Sequence, residues 1–438
     1  MTAPARRRLA IVGGGIAGNY AAWRLRERYD VTLFEKGPRI GGHTNTIDVP
    51  TADGTLAVDT GFIVFNDWTY PLFESLLDDL GVASQPSHMG FAVTCERTGV
   101  EYSGTSFATL FARRRNALSP SFWGMLRDIH RFHQEGRRLL ADDAPAGADY
   151  PLRELLERGR YGRAFVDRYL VPMGAAIWST DPRRMLDFPA RFFLRFFANH
   201  GLLSASLRPQ WRVVAGGSYR YVEALSADWR DRIRIDAPVE SVARTASGAS
   251  VRLADGSRED FDGVVLACHS DEALAILEDP SDEERAILGA IPYQTNEAIL
   301  HTDPRAMPAR RSAWASWNYR IPPGEDAPRV VLTYCMNILQ SLDTAETWLV
   351  TLNSDAHIAP ERIHRRIRYA HPLFTPAGAA AQARHAEISG PRNTWYCGAW
   401  WRNGFHEDGV WSAARVCEQL GVAPHRPLDT PYRTPAAW

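Results

Sequence analysis

Gly13, Gly15 and Gly18 are spaced as G-x-G-x-x-G directly after the apolar run Leu9-Ala10-Ile11-Val12. In such a spacing the first glycine permits a tight turn, and the second lets the backbone approach a pyrophosphate. The third lets a helix pack against a strand. Residues Ala17 to Arg28 read as that helix, with Ala21, Ala22 and Leu25 facing inward. Amides at its start, near Ile16 and Ala17, and the helix dipole then point at phosphates. A second apolar run, Val31 to Phe34, ends in Glu35. A carboxylate there can accept hydrogen bonds from ribose hydroxyls and disfavours a 2′-phosphate. Strand, glycines, helix, strand and acid in this order predict a dinucleotide cradle. The order alone does not separate a dinucleotide that exchanges, such as NAD, from one that stays, such as FAD.

The elements that must position this cradle are those of a large enzyme. At 438 residues the chain exceeds a single hydrophobic core and predicts about two domains. A net charge of −1 gives no electrostatic case for a nucleic-acid partner. The five cysteines, Cys95, Cys268, Cys335, Cys397 and Cys417, are isolated and odd in number, which predicts a reducing compartment. None forms C-x-x-C and no His or carboxylate cluster has ligand spacing, so no metal is predicted. Arg6-Arg7-Arg8 before an apolar run has the look of an export signal, but that run reads better as the first strand, and no stretch is long enough to span a bilayer. A cytoplasmic location is predicted, with membrane association as an extension of it.

Arg39-Ile40-Gly41-Gly42 follows Glu35 at once, and here the chain resembles the FAD-dependent amine oxidase and phytoene desaturase superfamily, whose fingerprint continues into an acid and then R-x-G-G. Further matches run in family order: "AVDTGFIVF" (57–65), "VAGGSYRYVEAL" (214–225), "PVESV" (238–242) and "NTWYCGAWWRNGFHEDGVWSAARV" (393–416). The resemblance implies resident FAD, held by Gly13, Gly15, Ile16, Ala17, Gly18, Glu35, Lys36, Arg39, Gly41, Gly42 and His43. Asp59, Thr60 and Gly61, Val239 near the adenine, and Gly398, Asp408, Gly409 and Val410 near the flavin complete the implied set. The implied fold is α/β, a Rossmann-type FAD-binding domain with a discontinuous α+β substrate domain, as in the amine oxidase and glutathione reductase folds. Residues 1–85, 209–280 and 390–425 would form the FAD domain. A helical block, 86–208, and a mixed block, 281–389, would form the substrate domain, with strands at Arg329–Tyr334 and Trp348–Leu352. Residues 426–438 would be an extended tail. "VDTGFIVFN", "RPQWRVVAGGSYRYVEAL" and "NTWYCGAWWRNGFHEDG" are similar to a bacterial subgroup of NAD/FAD-binding oxidoreductases associated with enzymes resembling cyclopropane fatty acid synthases. That similarity implies a lipid acyl chain as substrate class.

Chemistry at a flavin needs a substrate C–H over N5 and a pocket that excludes water, while a protein base is optional. Lys36 is the only lysine in the chain. Many amine oxidases of the superfamily hold a water at N5 with a lysine, and Val410 stands where they commonly place a cage aromatic. Both departures count against amine oxidation. His43 replaces an arginine common among relatives, and Trp400 stands where an acid is frequent. His406 and Glu407 are the catalytic candidates nearest the implied flavin edge, with Asp408 beside them; the alternative for His406 is a loop-ordering hydrogen bond. Backbone amides of Gly409 and Val410 at a helix start would stabilise negative charge on the reduced ring. "VPMGAAIWS" resembles a segment roofing the active site, so Met173, Ile177 and Trp178 are pocket candidates. Phe192, Phe193, Phe196 and Phe197 make one wide helix face that lines an acyl tunnel, dips into a membrane, or packs into its own core. Phe193 and Phe197 join the pocket candidates on the first reading. The basic run Arg113-Arg114-Arg115 suits anionic head groups or a solvated face. The expected activity is hydride removal from an unsaturated, lipid-bound acyl chain, with desaturation leading. Double-bond isomerisation comes next, then amine oxidation, then a non-catalytic flavin- or lipid-binding protein.

Overall fold

The computed structural model describes residues 6–51, 54–142, 149–204, 206–324 and 329–434. Its central sheet has five parallel strands, Ile233–Arg234, Asp30–Phe34, Arg8–Val12, Gly263–Leu266 and Thr394–Tyr396, in that spatial order. These are short apolar runs because both faces are covered. Leu9, Ile11, Val31, Leu33 and Val265 face one core layer, under the helices Ile16–Leu25 and His406–Gln419. Ala10, Val12, Phe34, Val264 and Leu266 face the other. That second layer is closed by the antiparallel strands Val239–Arg244, Ala249–Leu253 and Arg258–Phe261. The tight turn between the last two contains Ala254-Asp255-Gly256, with Gly256 at φ +87°. The fold is thus α/β, and its parallel sheet is gathered from three distant stretches of chain.

A second, seven-stranded mixed sheet runs Ile363–Pro372, Tyr293–His301, Leu349–Leu352, Leu332–Cys335, Trp317–Ile321, Phe91–Cys95, Val100–Ser103. Helices Pro120–Ala141, Val171–Trp178 and Ala190–Asn199 share one hydrophobic core with it. The stretch expected to be a helical block from residue 86 therefore opens with strands instead. Phe91–Cys95 and Val100–Ser103 pair antiparallel, and all four residues of the latter are buried. Five- and four-residue runs with β-branched and aromatic residues are too short for a buried helix and fit a sheet edge.

Helix Ala190–Asn199 settles the three readings of its phenylalanine face. Phe193, Phe196 and Phe197 are buried, with Phe193 and Phe197 packed on Phe132 and Phe196 on Trp178. The face points into the protein and not toward a membrane, since a wide apolar stripe is stabilised most by a matching interior. Arg191 donates to the Asp142 carbonyl at 2.6 Å. No helix among the described residues is long and apolar enough to cross a membrane. Residues 426–434 lack helix and strand and run beside residues 68–75, where Arg433 N donates to Trp68 O and Arg426 donates to Ser75 Oγ. Residues 435–438 of the predicted tail lie outside the described residues.

Candidate functional site

The glycine loop has the stereochemistry its spacing predicts. Gly13 sits at φ +106°, a conformation L side chains rarely adopt. A Cβ on Gly18 would lie 1.9 Å from the Gly13 carbonyl oxygen, so only glycine lets the helix approach this closely. At Gly15 the opposite holds: a Cβ would meet nothing within 4 Å. The backbone there faces open space at the start of helix Ile16–Leu25, where unpaired amides and the dipole favour an anion. The Glu35 carboxylate is fixed beside this loop by Gly14 N and Gly37 N, each at 2.8 Å.

The second glycine pair docks on the first. Gly41 N donates to Gly14 O at 2.6 Å, and a Cβ on Gly42 would lie 3.1 Å from the Gly15 Cα. Arg39 wraps its own loop, donating to Thr44 O and Gly42 O. Lys36 turns away to Glu272, at 2.5 Å. The closing helix joins from the other side. A Cβ on Gly409 would come within 2.6 Å of Ile16 Cγ2, while Ser412 Oγ accepts from Gly398 N and donates to Gly409 O. Val410 is wholly buried in the layer below, and Val239 is half-buried on the antiparallel sheet.

Beside Gly42, three imidazoles converge. The His43 ring lies 5.1 Å from that of His371 and 6.2 Å from His269, with Tyr369 at 5.0 Å and Tyr293 stacked on His269 at 4.5 Å. Burial pushes His371 down to about 4, and burial with neighbouring imidazoles holds His43 well below the usual range. All three rings are therefore neutral at pH 7 and partly open to solvent, as are Gly13, Gly15 and Cys268. Asn296 donates to His371 Nδ1 at 2.9 Å and to Ser179 O at 2.8 Å. His269, Asn296, Tyr369 and His371 were not among the expected site residues. The signal for two of them was the period-2 spacing of Tyr369 and His371 on one strand face, in a segment whose arginines made it look like a solvated edge.

Several implied site residues serve as ties between elements. Asp59 is buried and accepts from Thr46 Oγ1, Ser218 N and Ser218 Oγ, and burial raises it to about 6. Thr60 Oγ1 donates to Asn45 O and lies 2.9 Å from Tyr369 OH. A Cβ on Gly61 would fall 2.1 Å from His43 O. His406 stacks on Phe62 at 3.5 Å, and its Nε2 lies 2.9 Å from Thr44 Oγ1 and 3.0 Å from Tyr221 OH. Glu407 accepts from Leu72 N and Phe73 N, capping helix Pro71–Asp79. Asp408 accepts from Phe405 N and Asn403 N. Both carboxylates are thus committed to backbone amides. Replacing Tyr369 with Phe removes the hydroxyl that Asn45 Nδ2 and Thr60 share. It is expected to cost about 1–2 kcal/mol, read as a lowered thermal midpoint with the fold intact by circular dichroism.

An aromatic wall faces the loop that precedes the closing helix. Trp178 Nε1 donates to Asn403 O at 3.2 Å, Phe196 stacks on Phe405 at 5.2 Å, and Phe192 stacks on Phe374 at 5.2 Å. Met173, Ile177, Phe192 and Phe405 are partly exposed, whereas Phe193 and Phe197 lie fully inside, behind Trp178.

Residues 16–420 match the family model described as "Flavin containing amine oxidoreductase". The chain belongs to this family. The family is one of flavin-containing oxidoreductases. The chain is 28% identical over 364 residues to a carotenoid phi-ring synthase of Streptomyces griseus, covering 78% of this chain and 65% of that protein. The matched stretches span between 11% and 65% of the curated relatives' own lengths. Among solved structures, a cyclohexylamine oxidase from Brevibacterium oxydans aligns with a TM-score of 0.67 at 16% identity, over 95% of this chain and 100% of that one. A CLA-producing fatty acid isomerase from P. acnes aligns with a TM-score of 0.65 at 16% identity, over 94% and 98%. At such identities the structural likeness carries the flavoenzyme fold and no substrate. The open space before Gly15 and the glycine pair docked on it fit the family's flavin dinucleotide.

Proposed function

We propose that this flavoenzyme removes hydride from an unsaturated acyl chain, with a lipid-bound chain as substrate and a diene as product. The observation that supports this most is the aromatic wall of Trp178, Phe192, Phe196, Phe374 and Phe405 set against the loop at the start of the closing helix. The cradle residues Gly13 to Gly18, Gly41 and Gly42 would hold the pyrophosphate and Glu35 the ribose. Residues 1–85, 209–280 and 390–425 would act as the FAD-binding unit, and 86–208 with 281–389 as the substrate unit.

Bound FAD supplies two-electron acceptance, and the protein's part is to bind and orient an apolar chain and keep water away. The wall does this with rings that carry no charge. An ammonium substrate lacks a partner here: Glu407 and Asp408 are occupied by backbone amides, Asp181 by Arg183, and the nearby imidazoles are neutral. Desolvating a cation without a carboxylate is costly, which weighs against amine oxidation.

The test is the visible spectrum of the FAD-loaded protein under anaerobic conditions. Unsaturated phospholipid is expected to bleach the flavin, with a diene in the extracted lipid. Primary amines are expected to leave it oxidised. The similarity in fold to a fatty acid isomerase supports a second reading, redox-neutral double-bond migration. That reaction would move the double bond while the flavin stays oxidised. Bleaching by amines and not by lipid would overturn both readings.

A further inference from the structure

Five large apolar side chains stand exposed among the described residues, and three belong to residues 107–123: Phe107 at 72%, Leu118 at 86% and Trp123 at 48%. Isolated exposed apolar residues need no explanation, but a contiguous group does. Phe111 links this one, its ring 5.1 Å from Phe107 and 5.4 Å from Trp123, and it rests on the buried Phe122 at 5.8 Å. The group is also held in place. Trp123 Nε1 donates to Ala117 O at 2.9 Å, and Asn116 anchors the turn carrying Leu118 by donating to Glu101 O.

The charge along this segment has one sign. Residues 102–127 contain four arginines and no carboxylate. Arg114 and Arg115 are exposed, with no ion-pair partner among the described residues. The turn Arg311–Ala313 packs on helix Phe107–Leu110 and brings the exposed Arg310 and Arg311 to the same edge. The flanking acids are turned inward. Glu101 accepts from Ala309 N and Arg310 N, and Asp128 is buried against Arg131.

We propose that residues 107–123, with Arg310 and Arg311, form a docking surface for an anionic phospholipid membrane. Rings with a polar edge, such as Trp123, belong at the level of the head groups, where Phe107 and Leu118 enter the acyl boundary. The arginines meet phosphates, for which their planar donors are suited. A second copy of the chain is a poorer occupant, because a self-paired patch would set these arginines against each other. The surface also connects to the core behind the proposed acyl wall. Helix Pro120–Ala141 carries Trp123 in its first turn and Phe132 about 14 Å further on, and Phe132 packs on Phe193 and Phe197. That an acyl chain from the membrane reaches the wall rests on the reading of the substrate given above; the docking surface does not.

The experiment is co-sedimentation of the FAD-loaded protein with phosphatidylcholine vesicles, with and without 30 mole per cent phosphatidylglycerol (a composition of about this size suffices for a negative surface). The wild type is expected to bind the anionic vesicles at least about tenfold better, and less well as salt rises. R114E/R115E is expected to lose about 25-fold or more, each arginine contributing roughly fivefold at an anionic surface. F107S/L118S/W123S is expected to lose at least about tenfold, with flavin absorbance and thermal midpoint in solution unchanged. Variants that bind as the wild type does, or equal wild-type partition to both vesicles, would overturn the proposal. So would a triple variant whose sedimentation velocity shows the loss of a dimer, which would make a second copy the occupant. Vesicle binding with neither flavin reduction nor double-bond migration in any lipid would leave the docking surface standing and sink the substrate reading.

Discussion

Gly15→Ala is expected to fold as the wild type does and to purify with less than about a tenth of its flavin, whereas Gly18→Ala is expected to fail earlier, at folding. Gly15 is the N-cap and Gly18 lies inside the helix, where alanine is by itself the better helix former, so propensity alone would favour Gly18→Ala. What differs is the space in front of each. The methyl group added by Gly15→Ala enters open space, and Gly15 has φ −74° and ψ −175°, extended backbone that any residue adopts. The apoprotein gives up only an N-cap preference of about 0.5–1 kcal/mol, and its thermal midpoint should fall by about 3 °C or less. The same methyl group occupies the approach to the helix N-terminus, where a pyrophosphate must come close to backbone amides. At Gly18 the methyl would stand 1.9 Å from the Gly13 carbonyl oxygen, with Ala267 Cβ at 3.2 Å on the far side. Helix Ile16–Leu25 must then lift from the central sheet, and overpacking of this kind costs about 3 kcal/mol or more. The measurements are the ratio of flavin to protein absorbance and the thermal midpoint of flavin-free protein. Gly15→Ala with full flavin content would place the pyrophosphate elsewhere, and unchanged stability in Gly18→Ala would contradict the helix–strand contact.

The same contrast explains which parts of the molecule were legible in the sequence. The cradle was, because its stereochemistry is local: Gly13 at positive φ, Gly18 against its own loop, Glu35 at the end of the next strand. The parallel strands were legible as apolar runs because burial on both faces removes alternation. The seven-stranded sheet was less so. Phe91–Cys95 pairs in parallel with Trp317–Ile321, more than two hundred residues away, and no local pattern carries that information. The imidazole cluster escaped for the same reason. His43, His269 and His371 stand on three separate segments; His43 was singled out only as a member of the implied FAD set, and the other two each read as an ordinary polar residue. His406 and Glu407 show the reverse difficulty. Their types suggested acid–base chemistry at the flavin edge, but the fold closes His406 against Phe62 and gives Glu407 to the amides of Leu72 and Phe73. A carboxylate aimed at a helix start and one aimed at a substrate look alike in sequence.

Glu407 gives the second large effect, a stability that falls as pH rises. Its carboxyl is 3% exposed, and burial pushes it up to about 8, against the two amide hydrogen bonds that pull it down. In the unfolded chain the group titrates near its ordinary value of about 4.3. Between these values the folded protein binds the proton and the unfolded chain does not, so stability from this group is full below about pH 4.3 and declines up to about pH 8. It is flat above. A shift of this size corresponds to on the order of 5 kcal/mol across the window. Glu407→Gln removes the titration. Its amide nitrogen would face one of the two N–H donors, an offset of about 1–2 kcal/mol that does not vary with pH. The variant is therefore expected to be about as stable as the wild type near pH 5.5, where the titration has already cost about 1.6 kcal/mol, and more stable by about 3–4 kcal/mol at pH 8.5. Asp59, pushed up to about 6 by burial, is present in both proteins and cancels in the difference. Thermal midpoints of both proteins at four pH values from 5.5 to 8.5 measure this. Parallel curves would mean that Glu407 stays ionised throughout, held by the Leu72 and Phe73 amides strongly enough to outweigh its burial.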